Sequence, residues 1–203
     1  MRKAWLQRIR PWVIALGLGA SAAASGQVAA TSDVAVTTVS METRAVAPDT
    51  YFVQGLTAMG SSANQNFISN AAFVVTGDGV IVIDSLGSPP LARQLLSLIR
   101  RVTPQPIRHV VLTHCHADHL YGLQVFKEAG ARIVAHTGCR DYLQGETAQL
   151  RLAASREELF PWVDEHTRLV TPDVWLGDKG DEQDLVLKLG ARQLAGALRQ
   201  KAG

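Results

Sequence analysis

The chain has 203 residues, enough for one domain with a substantial core and short for two. Hydrophobic residues make up 47% and charged ones 19%, a globular balance that excludes a disordered chain. The formal charge of +2 includes Arg2, Lys3, Arg8 and Arg10; without those four it is −2, so the rest of the chain offers no basic surface for nucleic acid.

The N-terminus, MRKAWLQRIRPWVIALGLGASAAASGQ, has a basic head, an apolar run from Trp12 to about Ala20, and a tail of small residues. That order predicts a secretory signal peptide over residues 1–26, cleaved after Ala24 or Gly26. An uncleaved anchor is the alternative, although the apolar run is short for a transmembrane helix. Export predicts a periplasmic or secreted protein with no stable membrane span after cleavage. A polar segment, 27–49, follows.

From residue 50 the pattern alternates between strands and helices. Residues 50–56 suit a strand. In AAFVVTGDGVIVIDS, residues 71–85, two β-branched runs flank Gly77-Asp78-Gly79, the signal of a hairpin. Residues 89–102 place Leu91, Leu95, Leu98 and Ile99 at helical spacing behind a proline suited to the first turn. IRHVVLTH, residues 107–114, reads as a buried strand. A helix over 118–129 stopped by Gly130, another strand in ARIVAH, and a polar helix over 141–160 come next. In that last helix Leu143, Leu150 and Ala154 share a face, Leu152 lies off it and Gly145 weakens it. A turn-rich link leads to a strand pair broken at Gly190, and residues 195–203 carry no strand or helix signal. Strands alternating with helices predict an α/β layered fold.

THCHADHLYG, residues 113–122, holds three of the six histidines. Imidazoles this close repel one another when protonated, so the cluster needs a reason. Imidazole and carboxylate are preferred zinc ligands, and two metals can share a hydrolytic site about 3.5–4 Å apart. His114 and His116, two apart in extended chain, face one ion. Asp118 and His119, after the turn into the helix, face a second. Asp118 also suits a helix N-terminus.

The run His114-Cys115-His116-Ala117-Asp118-His119 resembles the H-x-H-x-D-H signature of the metallo-β-lactamase superfamily. GVIVIDSLGSP resembles that family's early strand ending in aspartate, here Asp84, and NAAFVVTGDG the hairpin strand before it. The likeness covers residues 50–194. The trailing His119 is similar to glyoxalase II-like hydrolases and to the β-lactamase subclass with histidine at this position. The resemblance implies an αββα sandwich of two mixed sheets covered by helices. It implies a first zinc at His114 and His116 and a second at Asp118 and His119, with Asp84 bracing the loop from behind the ligands. It further implies metal-activated water attacking an ester, thioester, amide or β-lactam carbonyl of a small-molecule substrate, with Asp118 as the catalytic residue that orients the water.

The family's later ligands include a histidine in a segment like H-T-x-G-D. No histidine follows His166 here, and the chain closes on AGALRQKAG. The expectation is therefore an incomplete domain, the N-terminal part of the sandwich, from a truncated or frameshifted gene. The alternative function is a catalytically inactive remnant with a partial fold and weak metal binding. His109 reads as a strand-packing residue and His136 as the end of the next strand, with a rim or supporting contact as its lesser alternative. His166 does not replace the missing histidine, since no Gly-Asp follows it directly and it precedes the link it should follow. Trp162 and Trp175 read as packing residues. Cys115 and Cys139 are expected as free thiols, because a bridge at Cys115 would distort the histidine loop; a disulfide or redox pair is the alternative.

Overall fold

The computed structural model describes residues 35–177 and two further strands, 182–189 and 192–199. The expected signal peptide lies outside the described residues. Among those described, no helix is long and apolar enough to cross a membrane.

Seven strands form one sheet in chain order: β1 (Arg44–Ala47), β2 (Thr50–Val53), β3 (Ala71–Val75), β4 (Val80–Ile83), β5 (Ile107–Val111), β6 (Arg132–His136) and β7 (Val174–Leu176). The first four pair antiparallel, and β4 to β7 run parallel, so the sheet is mixed. Two strands, β8 (Glu182–Leu189) and β9 (Arg192–Arg199), form a separate antiparallel pair. The fold is thus α/β with a mixed sheet, as the alternation of elements predicts. Residues 195–199, expected to be unstructured, instead pair within β9. β1 lies inside the segment expected to be polar; all four of its residues are exposed, so no burial pattern marks it.

The β3–β4 hairpin forms as its Asp-Gly predicts. Gly77 and Gly79 take φ of 96° and 150°, which glycine alone adopts cheaply, and Thr76 N–H donates to Gly79 O at 3.0 Å. Helix α1 (Pro89–Val102) begins where Ser88 Oγ caps Leu91 N–H and where two prolines cost no hydrogen bond. Its Leu91, Leu95 and Ile99 are fully buried against the sheet.

Because side chains alternate along a strand, the sheet has two buried faces. Val80, Val82, Val110, Ile133 and Ala135 join the main core with α1. Ile81, Val111 and Val134 form a second apolar cluster on the other face, with Val174 and Leu176 packed against it. Burial on both faces explains why β4 is apolar throughout and why β5 and β6 carry consecutive apolar residues, Val110-Val111 and Ile133-Val134-Ala135.

The helix expected over 118–129 is two: α2 (Ala117–Leu120) and α3 (Leu123–Glu128). The break falls at Gly122, whose N–H donates to Leu86 O and whose Cα backs directly onto Ser85 O. The helix expected over 141–160 also divides, at Gly145, into α4 (Arg140–Gln144) and α5 (Glu146–Glu158). Its inward face is Ala148, Leu152 and Ser155, while Leu150 is exposed, correcting the predicted face. The reason is a tertiary contact: buried Tyr121 hydroxyl pairs with Ser155 Oγ at 3.0 Å and turns that side of α5 inward.

Candidate metal centre

β5 ends at Val111, three residues earlier than expected, and the chain runs irregularly through His114, Cys115 and His116 before α2 begins. The site therefore lies at the C-terminal end of parallel strands, where α/β sheets place their ligands. The end of the neighbouring strand β4 supplies the brace. Asp84 N–H donates to Val111 O at 2.9 Å, and Asp84 itself takes a φ of 59°. That left-handed turn aims a buried carboxylate back at the histidine loop.

Asp84 Oδ1 accepts Thr113 N–H at 2.9 Å, and its Oδ2 accepts the Thr113 hydroxyl at 2.7 Å. His119 Nδ1 lies 2.9 Å from the same Oδ2, off the line of a good hydrogen bond, so the contact is chiefly electrostatic. The backbone adds to this. Ser85 Oγ donates to His119 O at 2.6 Å, and Ser69 Oγ donates to Asp118 O. Asp84 thus touches both Thr113 and His119.

These bonds set the state of His114. The Thr113 hydroxyl has one proton, and the carboxylate takes it. The 2.9 Å contact between Thr113 Oγ1 and His114 Nδ1 must then be donated by the imidazole. His114 carries its proton on Nδ1 and keeps a lone pair on Nε2, the state a metal ligand requires. Its pKa is lowered, by burial first and then by the neighbouring His119 and His116, which keeps the ring neutral.

The three rings cluster. His114 lies 4.5 Å from His116 and 4.1 Å from His119, centroid to centroid. His119 Nε2 is 3.4 Å from Asp118 Oδ2. Burial would lower the His119 pKa, but the Asp118 and Asp84 carboxylates outweigh it and raise it to about 9. The Asp118 carboxyl is raised by burial, yet the hydrogen bond and charge of His119 bring it below its usual value. A proton on His119 thus holds two carboxylates together.

The donor set fits zinc in kind: three imidazoles and a carboxylate, one imidazole already fixed in the ligand tautomer. In position the fit is partial. Among the described residues no three side chains of His, Cys, Asp or Glu stand together as a ready set for one ion. His114 stands between His116 and His119 rather than with His116 alone.

The other histidines lie apart in role. His109 is half-buried in β5 beside Ile81 of β4, and its Nδ1 is buried without a hydrogen-bond partner. His136 ends β6; its Nδ1 accepts Gly138 N–H at 3.0 Å, so its proton sits on Nε2 and leaves no lone pair for a metal. His166 is exposed, with Nε2 3.7 Å from Glu165. Trp162 is half-buried and donates Nε1–H to Ser62 O at 2.8 Å, while Trp175 packs against the main core as expected. Trp175 lies under the Arg140 guanidinium at 5.1 Å.

Cys115 and Cys139 are not free. They form a disulfide, with Cα atoms 5.7 Å apart, well within the usual range. The expectation that a bridge would distort the loop fails because the β5 and β6 termini are neighbours. Val111 pairs with Val134 in parallel register, so the segments beyond each strand emerge side by side. No local spacing encodes that closeness.

Residues 65–186 match the family described as the metallo-beta-lactamase superfamily. A metallo-beta-lactamase type 2 from Bacillus cereus is 28% identical over 81 residues, covering 40% of this chain and 31% of that protein. The alkyl/aryl-sulfatase BDS1 of Saccharomyces cerevisiae is 37% identical over 67 residues, covering 32% of this chain and 10% of that one. Among solved structures, the metallo-beta-lactamase GOB-18 from Elizabethkingia meningoseptica superposes with a TM-score of 0.52 at 22% identity, covering 76% of this chain and 49% of that chain. The chain therefore spans about a third or less of the length of these curated relatives and about half of that structure. The family match covers more than half of the 203 residues and contains the whole histidine motif together with Asp84, and on that ground this chain belongs to the metallo-β-lactamase superfamily.

Proposed function

We propose that this chain carries the zinc-binding part of a metal-dependent hydrolase, with His114, His116, Asp118 and His119 as its ligands. The observation that carries the reading is the gathering of three imidazole rings and Asp118 at the end of β5, braced by Asp84. Zinc bound there would supply Lewis acidity and a water of lowered pKa. The chain's own residues do the positioning. Thr113 holds His114 through Nδ1, Asp84 contacts both Thr113 and His119, and Asp118 would accept a proton and orient a water.

The substrate class proposed is a small molecule with an ester, thioester, amide or β-lactam carbonyl. The names of the Bacillus and Elizabethkingia proteins support the lactam, and the yeast relative's name adds sulfate esters. A periplasmic or secreted location belongs to the same proposal. It is supported by the N-terminal pattern of charge and apolar residues and by a disulfide, which persists in oxidising compartments.

Metal analysis of the purified protein tests the reading. Zinc should co-purify or be taken up, and His116→Ala should reduce it. Absent uptake, or uptake indifferent to that substitution, would remove the motif as a metal site. A second reading, an inactive relative with weak metal binding, is favoured by the lack of a ready three-ligand set among the described residues. Chelator-sensitive turnover of a chromogenic β-lactam or thioester would eliminate it.

A further inference from the structure

Cys115 stands between two of the proposed ligands, and its bridge leads out of the loop to the framework. Residues 114–116 belong to no helix or strand, so the Cys115 side chain tethers the middle of an irregular run. Cys139, in contrast, is buried at the end of a single 3₁₀ turn, Thr137–Cys139, between β6 and α4. That turn is held on several sides. Gly138 N–H donates to His136 Nδ1, Thr137 Oγ1 donates to Gly177 O at 2.8 Å, and Arg140 N–H donates to Thr137 O. One end of the bridge is therefore fixed, and the other lies beside His114, whose ring is 4.5 Å from that of His116 and 4.1 Å from that of His119.

We propose that the Cys115–Cys139 disulfide is a redox-sensitive clasp on the histidine loop. Closed, it holds His114 and His116 in place by tethering the residue between them. Opened by a dithiol reductant, it frees the loop and weakens metal binding. The metal half of this inference rests on the ligand assignment proposed above; the mechanical half does not.

The exchange balances with a dithiol as the only co-reactant. Cys115 is partly exposed and Cys139 buried, so the reductant's thiolate attacks Cys115 Sγ. The Cys115–Cys139 bond breaks, and Cys139 leaves as a thiolate that takes up a proton. The reductant's second thiol then displaces Cys115, closing its own disulfide. Two electrons and two protons pass to the protein, which gains two thiols.

The test compares the full chain in three forms: oxidised, reduced with dithiothreitol and desalted without air, and the Cys115→Ser/Cys139→Ser variant. Amide hydrogen exchange of residues 113–119 is read on metal-free protein, and zinc affinity by competition with a chromophoric chelator. In the reduced and variant forms, loop exchange should accelerate about tenfold while α1 and β4 keep their protection, and the zinc Kd should rise about tenfold. Equal loop exchange in all three forms would overturn the clasp. So would two thiols titrating in denatured, unreduced protein. General loss of protection in α1 and β4 would also overturn it, since the bridge would then be holding the whole domain. If the oxidised protein takes up no zinc, the ligand assignment fails, and loop exchange alone decides the clasp.

Discussion

Asp84 and Thr113 are joined by two hydrogen bonds of 2.9 and 2.7 Å, backbone to Oδ1 and hydroxyl to Oδ2, which lock the end of β5 to the end of β4. This pair decides where the proton of His114 sits. Asp84→Asn keeps the shape and reverses the polarity. An amide Nδ2–H facing Thr113 Oγ1 would donate to it, turning the hydroxyl proton towards His114 Nδ1 and moving the imidazole proton to Nε2. The lone pair needed for metal would be lost. The expected result is a fall in zinc affinity of about 10–100-fold, with stability lowered by about 1–3 kcal/mol. Chelator competition measures the first, urea unfolding the second, and ¹⁵N imidazole shifts report the tautomer. Unchanged affinity with an unchanged tautomer would remove Asp84 from this role.

Zinc uptake should release protons. In the metal-free protein His119, raised to about 9, is protonated at pH 7, and a metal on its Nε2 must displace that proton. Calorimetry in two buffers of different ionisation enthalpy should show about one proton released per ion bound at His119 near pH 7, falling towards none above pH 9. Binding without proton release at pH 7 would show that His119 is not a ligand.

The same histidine gives the metal-free domain a pH-dependent stability. Its pKa is about 9 folded against 6.5 unfolded, so the folded state binds the proton more tightly. The stabilisation is fully present below pH 6.5 and is lost as pH rises through 9. Urea midpoints should fall across that window, and His119→Gln should flatten the fall. Zinc should also flatten it by replacing the proton. A midpoint that rises from pH 6.5 to 9 would contradict the pairing of His119 with Asp84 and Asp118.

How much of this could be read from the residues depends on whether the cause is local. The β3–β4 hairpin and α1 are written in short-range chemistry: two glycines at positive φ, a serine cap and two prolines in the first turn. The histidine spacing is equally local, and the fold brings those rings together. The disulfide, the inward face of α5 and the break at Gly122 are not local. Cys115 meets Cys139 because β5 and β6 are parallel neighbours. Ser155 is buried because Tyr121 reaches it from α2's end, while apolar Leu150, the better candidate by hydropathy, faces solvent. The Asp84 turn at φ 59° is visible only once Val111 accepts its N–H.

Gly122 gives the sharpest steric test of how the site is built. A Cβ there would lie 1.9 Å from Ser85 O and 2.7 Å from Ala92 Cβ, so Gly122→Ala must push the Asp84–Ser85 turn away from α2. That movement would stretch the Ser85–His119 hydrogen bond and the Asp84–His119 contact together. The expected cost is about 1–3 kcal/mol of stability from overpacking, with a loss of zinc affinity alongside. Gly130→Ala is the control. It has φ of 89° and nothing within 4 Å, so its cost of about 1–2 kcal/mol is backbone strain alone, remote from the turn. The two variants should therefore destabilise by similar amounts in urea and differ in metal affinity. Equal zinc affinity in both would mean that the Ser85–Gly122 contact supports the fold without positioning His119.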